Sequence, residues 1–186
     1  MARGERTGDV AAAPRYLAPR HVFTHRLELR PFTLDDHAAY AAICADAEVM
    51  RYVGMGKPNT PEMTWRSMAA MLGHWEMLGY GLWALALRDG PLIGHVGFID
   101  VLGWPGFELG YVLGREHWGN GYAQEAARAA LRIAHHDLRK ERVISLIRPE
   151  NAASMRVAQR LGAVREGEVD LMGSAAALFA YPAPPR

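Results

Sequence analysis

Three apolar runs constrain this chain most. Residues 82–88, 92–100 and 107–113 are each of strand length, and Asp89-Gly90 between the first two is a hairpin-turn dipeptide. The loop around Gly103-Trp104-Pro105-Gly106 separates the second from the third. Together they read as an antiparallel meander. Directly after it the period changes. Ala123, Ala127, Ala130, Leu131, Ala134 and Leu138 recur at spacings of three and four, which predicts a helix from Tyr122 to Asp137. A strand over Val143–Ile147 follows, then a short helix over Asn151–Leu161 stopped by Gly162. Val164–Leu171 and Leu178–Tyr181 read as two closing strands.

The first half is a strand and two helices. Arg26-Leu27-Glu28-Leu29-Arg30 alternates charged and apolar residues and ends at Pro31. Thr33 and Asp36 form a capping box that opens a helix toward Ala47. Thr60-Pro61-Glu62 starts a second helix, whose apolar residues are Met63, Met68, Met71, Leu72 and Trp75. A methionine stripe of this kind is read first as core and second as the wall of an adaptable pocket. The expected fold class is therefore α/β (α+β): one domain with a mixed, mostly antiparallel central sheet flanked by helices. Residues 1–22 are expected to be a flexible N-terminal leader and residues 23–186 the domain.

At 186 residues the chain suits one domain, and its net charge of +1 provides no electrostatic case for nucleic acid or an anionic membrane as partner. No run approaches the roughly 18 apolar residues of a membrane span, and the leader lacks a signal peptide's apolar core. The cytoplasm is the expected location. The single cysteine, Cys44, lies in an apolar run and reads as core filler in a reducing compartment. His74, His95, His117, His135 and His136 offer no metal-ligand spacing with a carboxylate or cysteine, so no metal is expected.

Gly119 and Gly121 stand between a strand and a helix. A helix N-terminus leaves amides unpaired at the positive end of the dipole, and glycine lets a phosphate approach the backbone. A tight turn is the alternative use of the same residues. A Walker loop is excluded, because no Gly-Lys-Ser/Thr follows. The dinucleotide fingerprint also fits poorly: its third small residue would fall at Gln124, the acidic Glu150 is late, and a meander precedes the loop.

Four runs in order resemble the GNAT superfamily of N-acetyltransferases. They are Glu108-Leu109-Gly110-Tyr111-Val112-Leu113, Trp118-Gly119-Asn120-Gly121-Tyr122-Ala123-Gln124-Glu125-Ala126, Asn151-Ala152-Ala153-Ser154 and Arg160-Leu161-Gly162-Ala163. The resemblance covers about Leu27 to Tyr181. Trp118 stands where many members carry Arg or Gln, and is similar to the Rim-type branch, named for ribosomal-protein N-terminal acetyltransferases. The resemblance implies acetyl-CoA as donor, with the backbone of Trp118, Gly119, Asn120, Gly121, Tyr122 and Ala123 around its pyrophosphate. It also implies a bulge in the strand of Tyr111, Val112 and Leu113, which opens a gap for the pantetheine arm. Asn151 is implied in cofactor contact and Ser154 near the sulfur. A homodimer is a family-level expectation.

Amine acetylation needs a base, a polarised carbonyl and an acid for the departing thiolate. Glu108 is the candidate base, backbone amides near Val112 the polarising groups, and Ser154 the acid, with Tyr111 as a second acid candidate. Each residue also has an ordinary structural use: Glu108 as a solvent-facing strand residue, Ser154 as a helix cap, Tyr111 as packing. The expected acceptor is a primary amine, either a protein N-terminus or a small molecule. Trp65, Trp75 and Trp104 are expected to shape its pocket. The alternative is a module that binds acyl-CoA without turnover.

Overall fold

The computed structural model describes residues 17–183. Its frame is one eight-stranded sheet in the order β1-β2-β3-β4-β5-β6-β8-β7. The strands are β1 (Val22–Phe23), β2 (Leu27–Arg30), β3 (Leu82–Leu87), β4 (Leu92–Ile99), β5 (Glu108–Leu113), β6 (Arg142–Ile147), β7 (Val164–Leu171) and β8 (Ser174–Pro182). The helices are α1 (His37–Ala45), α2 (Ala47–Met50), α3 (Pro61–Leu78), α4 (Tyr122–His136) and α5 (Ala152–Arg160). Neighbouring strands are antiparallel except β5 and β6, which run parallel. The mixed, mostly antiparallel sheet with flanking helices is the fold expected from the sequence.

Alternation along β5 sorts the molecule into two cores. Leu109 and Leu113 face α4, where Ala126, Ala127 and Ala130 let the helix approach the sheet closely. Val112 faces the opposite way, into a second cluster with Tyr40, Cys44 and Met50 beneath α1 and α2. The alanine-rich stripe of α4 is what the helical spacing predicts. Cys44 is buried as core filler, as read from its apolar run.

Several local expectations change. The capping box of Thr33 and Asp36 is present, but it closes a single 3-10 turn over Leu34–Asp36 before α1 begins at His37. The last strand starts at Ser174 rather than Leu178. Met172 and Gly173, at φ 57° and 78°, make a two-residue turn that pairs Leu171 with Ser174 and draws Ala175–Ala177 into the ladder. Trp75 is not a pocket residue: it packs edge-on against Trp83 in the core and donates its indole N–H to the Leu82 carbonyl. Trp65 stands half-exposed on α3.

Of the expected leader, residues 1–16 lie outside the described residues, as do residues 184–186 of the domain. Ala18 is buried, and its N–H meets the Gly79 carbonyl at 3.0 Å. The Pro19 carbonyl accepts from Trp83, Arg20 pairs with Glu76 at 2.6 Å, and Val22 begins the sheet. Among the described residues no helix is long and apolar enough to cross a membrane.

Gly94 on β4 fixes how closely β4 and β5 approach. Its φ is +153°, and a Cβ there would overlap the Val112 carbonyl oxygen. Replacing Gly94 with Ala is therefore expected to cost about 3 kcal/mol or more, because the obstacle is backbone rather than a mobile side chain. Urea unfolding of the variant measures this.

Candidate active site

The single parallel pair in the sheet is a fork. β5 and β6 are in register at Glu108 and Ile144, where the Ile144 N–H donates to the Phe107 carbonyl at 2.9 Å. Beyond that point no ladder joins them. The Ser145 hydroxyl reaches across to the Leu109 carbonyl at 2.6 Å, and the Trp118 indole N–H takes the Leu113 carbonyl at 2.8 Å. Period-two alternation then turns the amides of Leu109, Tyr111 and Leu113 toward the gap. The strands open without the expected bulge in β5, whose register with β4 is unbroken from Glu108 to Leu113. A register shift lies one strand away, between β3 and β4 at Leu85 and Ala86. Divergence from β6, rather than a bulge, makes the gap.

A cavity of about 780 Å³ sits over this fork. Glu108, Tyr111, Val112, Asn151 and Ser154 all line it, so five residues singled out in the sequence converge on one space. Trp104 also lines it. Met63 and Met71 belong to its wall while Met68 is buried in the core, so the methionine stripe of α3 serves both uses expected of it. The loop from Trp118 to Ala123 lies outside the cavity lining.

Glu108 is buried, with 7% of its surface exposed. Its Oε2 accepts the Trp104 indole N–H at 2.6 Å and its Oε1 accepts the Leu146 amide at 3.2 Å. Burial pushes its carboxyl up to about 7, against the downward pull of those two donors. Trp104 was expected to shape the pocket; its bond to Glu108 and the Leu146 amide were not legible from the sequence. Nothing in the pattern 101–108 marks that bond beyond the four-residue spacing.

The glycine loop is a helix N-terminus without a side-chain cap. Gly119 and Gly121 both adopt φ +78°, and Gly121 is the N-cap of α4. The first amide of the helix to find a helical carbonyl is that of Glu125, bonded to Gly121 at 3.0 Å. The amides of Tyr122, Ala123 and Gln124 precede it and point along the axis at the positive end of the dipole. A Cβ at Gly119 would meet no atom within 4 Å, so the loop's outer surface is open. Asn120 turns its side chain inward, to the carbonyls of His117 and Trp118.

Arg26, at the edge of β2, braces this loop in a way the sequence did not signal. It donates to the Asn120 carbonyl at 2.9 Å, pairs with Glu125 at 2.7 Å and stacks over the Tyr122 ring. Glu125 also accepts the Thr24 hydroxyl and the Arg26 amide. Burial raises its carboxyl, but these donors outweigh it and hold Glu125 below the usual range.

At the start of α5, Asn151 caps the helix by accepting the Ser154 N–H at 3.1 Å. The Ser154 carbonyl accepts the Tyr111 hydroxyl at 3.2 Å, which ties α5 to β5. Burial lifts the Tyr111 phenol above its ordinary value. Among the described residues no three His, Cys, Asp or Glu side chains form a metal-sized cluster.

This geometry has relatives. The acetyltransferase (GNAT) domain family matches residues 26–164. The chain belongs to the GNAT acetyltransferase family. It is 32% identical over 148 residues to the Uncharacterized N-acetyltransferase YnaD of Bacillus subtilis (strain 168), covering 79% of this chain and 84% of that one. An acetyltransferase from Agrobacterium tumefaciens str. C58 superposes with a TM-score of 0.79 at 29% identity, over 92% of this chain and 99% of that one. Mycobacterium smegmatis RimJ, solved in complex with CoA-disulfide, shares the fold at a TM-score of 0.70 and 21% identity, over 90% of this chain and 85% of that one. Membership makes this GNAT protein an acetyltransferase, and the family's donor is acetyl-CoA.

The indole N–H of Trp104 stabilises the charged form of Glu108. Replacing Trp104 with Phe removes that donor, so the carboxyl is expected to titrate above about 7. Carbon NMR of the Glu108 carboxyl measures it.

Proposed function

We propose that this GNAT protein transfers acetyl from acetyl-CoA directly to a primary amine in a ternary complex, with Glu108 as the base. The observation that carries the reading is a buried carboxyl at the strand fork, on the wall of a large cavity, with its titration brought to about 7. A general base is most effective when its pKa lies near the working pH. Glu108 then takes a proton from the incoming ammonium, directly or through one water, and the free amine attacks the thioester.

The donor's place follows from the family and from two local features. The open amides of Tyr122, Ala123 and Gln124 suit a pyrophosphate, backed by Arg26 and the dipole of α4. The gap between β5 and β6 suits an extended arm that hydrogen-bonds the open amides of Tyr111 and Leu113. One of those amides, adjacent to Val112, holds the thioester carbonyl as its oxygen gains charge. The Ser154 hydroxyl, a side-chain partner of the Tyr111 phenol, protonates the leaving thiolate and takes back the proton that the attacking nitrogen sheds as it becomes an amide. Asn151 keeps that serine in position through the helix cap.

For the acceptor we favour the Rim-type reading, a protein N-terminus, with a small amine as the other member of the same class. Trp118 supports the branch, and the breadth of the cavity supports an acceptor larger than the amine itself. The lone buried Cys44 supports a reducing compartment, the cytoplasm.

Replacing Glu108 with Gln is expected to lower kcat by about a hundredfold or more, with acetyl-CoA affinity changed by less than about threefold. The wild-type rate should rise with pH through an apparent pKa near 7, because only the ionised carboxyl accepts a proton, and the variant should lose that limb. Thiol release at varied pH reads both. Unchanged turnover across pH would remove Glu108 from the mechanism.

A further inference from the structure

The cavity holds a second polar group that acetyl transfer does not use. His95 lies on β4, in the apolar strand Leu92–Ile99, with 7% of its surface exposed. Its Nδ1 is 2.7 Å from the hydroxyl of Tyr40, itself buried on α1, and the two rings meet edge to face. Cys44 and Val112 close the surroundings with apolar surface. A histidine placed here loses its water. That keeps the ring neutral, with its protonation pushed down to about 4.

The tautomer follows from counting donors. The Tyr40 hydroxyl has one strong acceptor in reach, Nδ1; its other neighbour, the Cys44 thiol, is a weak one. With Tyr40 donating to Nδ1, the ring proton sits on Nε2. That nitrogen has no protein partner among the described residues, and the ring lines the cavity. His95 therefore presents one N–H to the cavity from an otherwise apolar wall. In an apolar wall that N–H has few competing partners, so a bound oxygen placed against it is held by one directed bond.

Its distance from Glu108 is set by the sheet. His95 pairs with Val112, and Val112 is four residues along β5 from Glu108 on the same face. At strand rise this separates the two positions by about 13 Å. A hydrogen bond of about 3 Å at each end leaves roughly 7 Å between an amine at Glu108 and an oxygen at His95. Two extended peptide units span about that length.

We propose that His95, oriented by Tyr40, is a specificity subsite for the acceptor: it binds a neutral hydrogen-bond-accepting oxygen about two peptide units from the reacting amine. This rests on the acetyl-transfer reading only for where the amine lies, and the test keeps the two apart. The protein saturated with coenzyme A is titrated with alanyl-alaninamide, alaninamide and hexylamine, and binding is followed by NMR. The wild type should bind alanyl-alaninamide about tenfold more tightly than either of the others. His95→Phe should erase that preference, and His95→Gln, which restores an N–H donor, should recover part of it. Tyr40→Phe keeps the packing but releases the tautomer, and should weaken the preference by about threefold.

No preference in the wild type, or a preference that survives in His95→Phe, overturns the subsite. So does an equal loss of turnover for all amines with their binding unchanged, which would place His95 at the thioester instead. If the binding preferences hold but no amine is acetylated, the transfer reading fails while the subsite stands.

Discussion

The divergence of β5 from β6 is the constraint on which the rest of the site depends. One parallel bridge at Glu108 and Ile144 holds the strands together, and past it each must find other partners. Ser145 and Trp118 satisfy two of the orphaned carbonyls with side chains, so the groups left facing the gap are chiefly amides. Glu108 stands at the crotch and contributes to it: Oε1 accepts the Leu146 amide of the neighbouring strand. The candidate base is thus also a tie between the strands.

That double use explains the electrostatics. A carboxyl buried at this depth resists ionising, while two N–H donors aimed at it favour the charged form. Their balance sets the titration near 7. The carboxyl's value in the folded protein lies above its ordinary 4.5, so the fold is favoured most below the ordinary value. That contribution is lost as pH rises from about 4.5 to about 7. Stability is therefore given up over the pH range in which the base becomes competent. The site keeps a group that the fold alone would prefer neutral.

The sequence showed what is periodic and local. The meander, the alanine stripe of α4 and the glycines before it each declare themselves in one continuous stretch of sequence, and they carry the fold and the proposed donor end of the site. The rest depends on pairing at a distance. The β8 start at Ser174 follows from a Met-Gly turn whose left-handed methionine is uncommon, and alanines that favour helices in isolation are recruited by β7. Trp75 and Trp104 look alike in a sequence, yet one packs on Trp83 and the other donates to Glu108. Arg26 braces a loop 94 positions further on. His95 left one trace, a polar residue inside an otherwise apolar strand flanked by Gly94 and Gly97. It has no metal-ligand spacing with a carboxylate or cysteine, which leaves a single imidazole in an apolar strand.

The proposed donor and acceptor ends are also built to different standards of rigidity. The loop over α4 is held by a charged pair, an arginine stacked on tyrosine and an asparagine folded inward, so its amides are fixed before a ligand arrives. The opposite wall is drawn from α1, α2 and α3 and carries Met50, Met63 and Met71, side chains that repack at low cost. On the proposed reading, a fixed loop beside an adaptable wall lets one scaffold keep its cofactor while its acceptor varies. In such a wall the few groups that cannot adapt decide specificity. Glu108 and His95 are each held by a hydrogen bond from a neighbouring wall residue, Trp104 and Tyr40, so the distance between them, set by four residues of strand, is the least adjustable dimension of the proposed acceptor site.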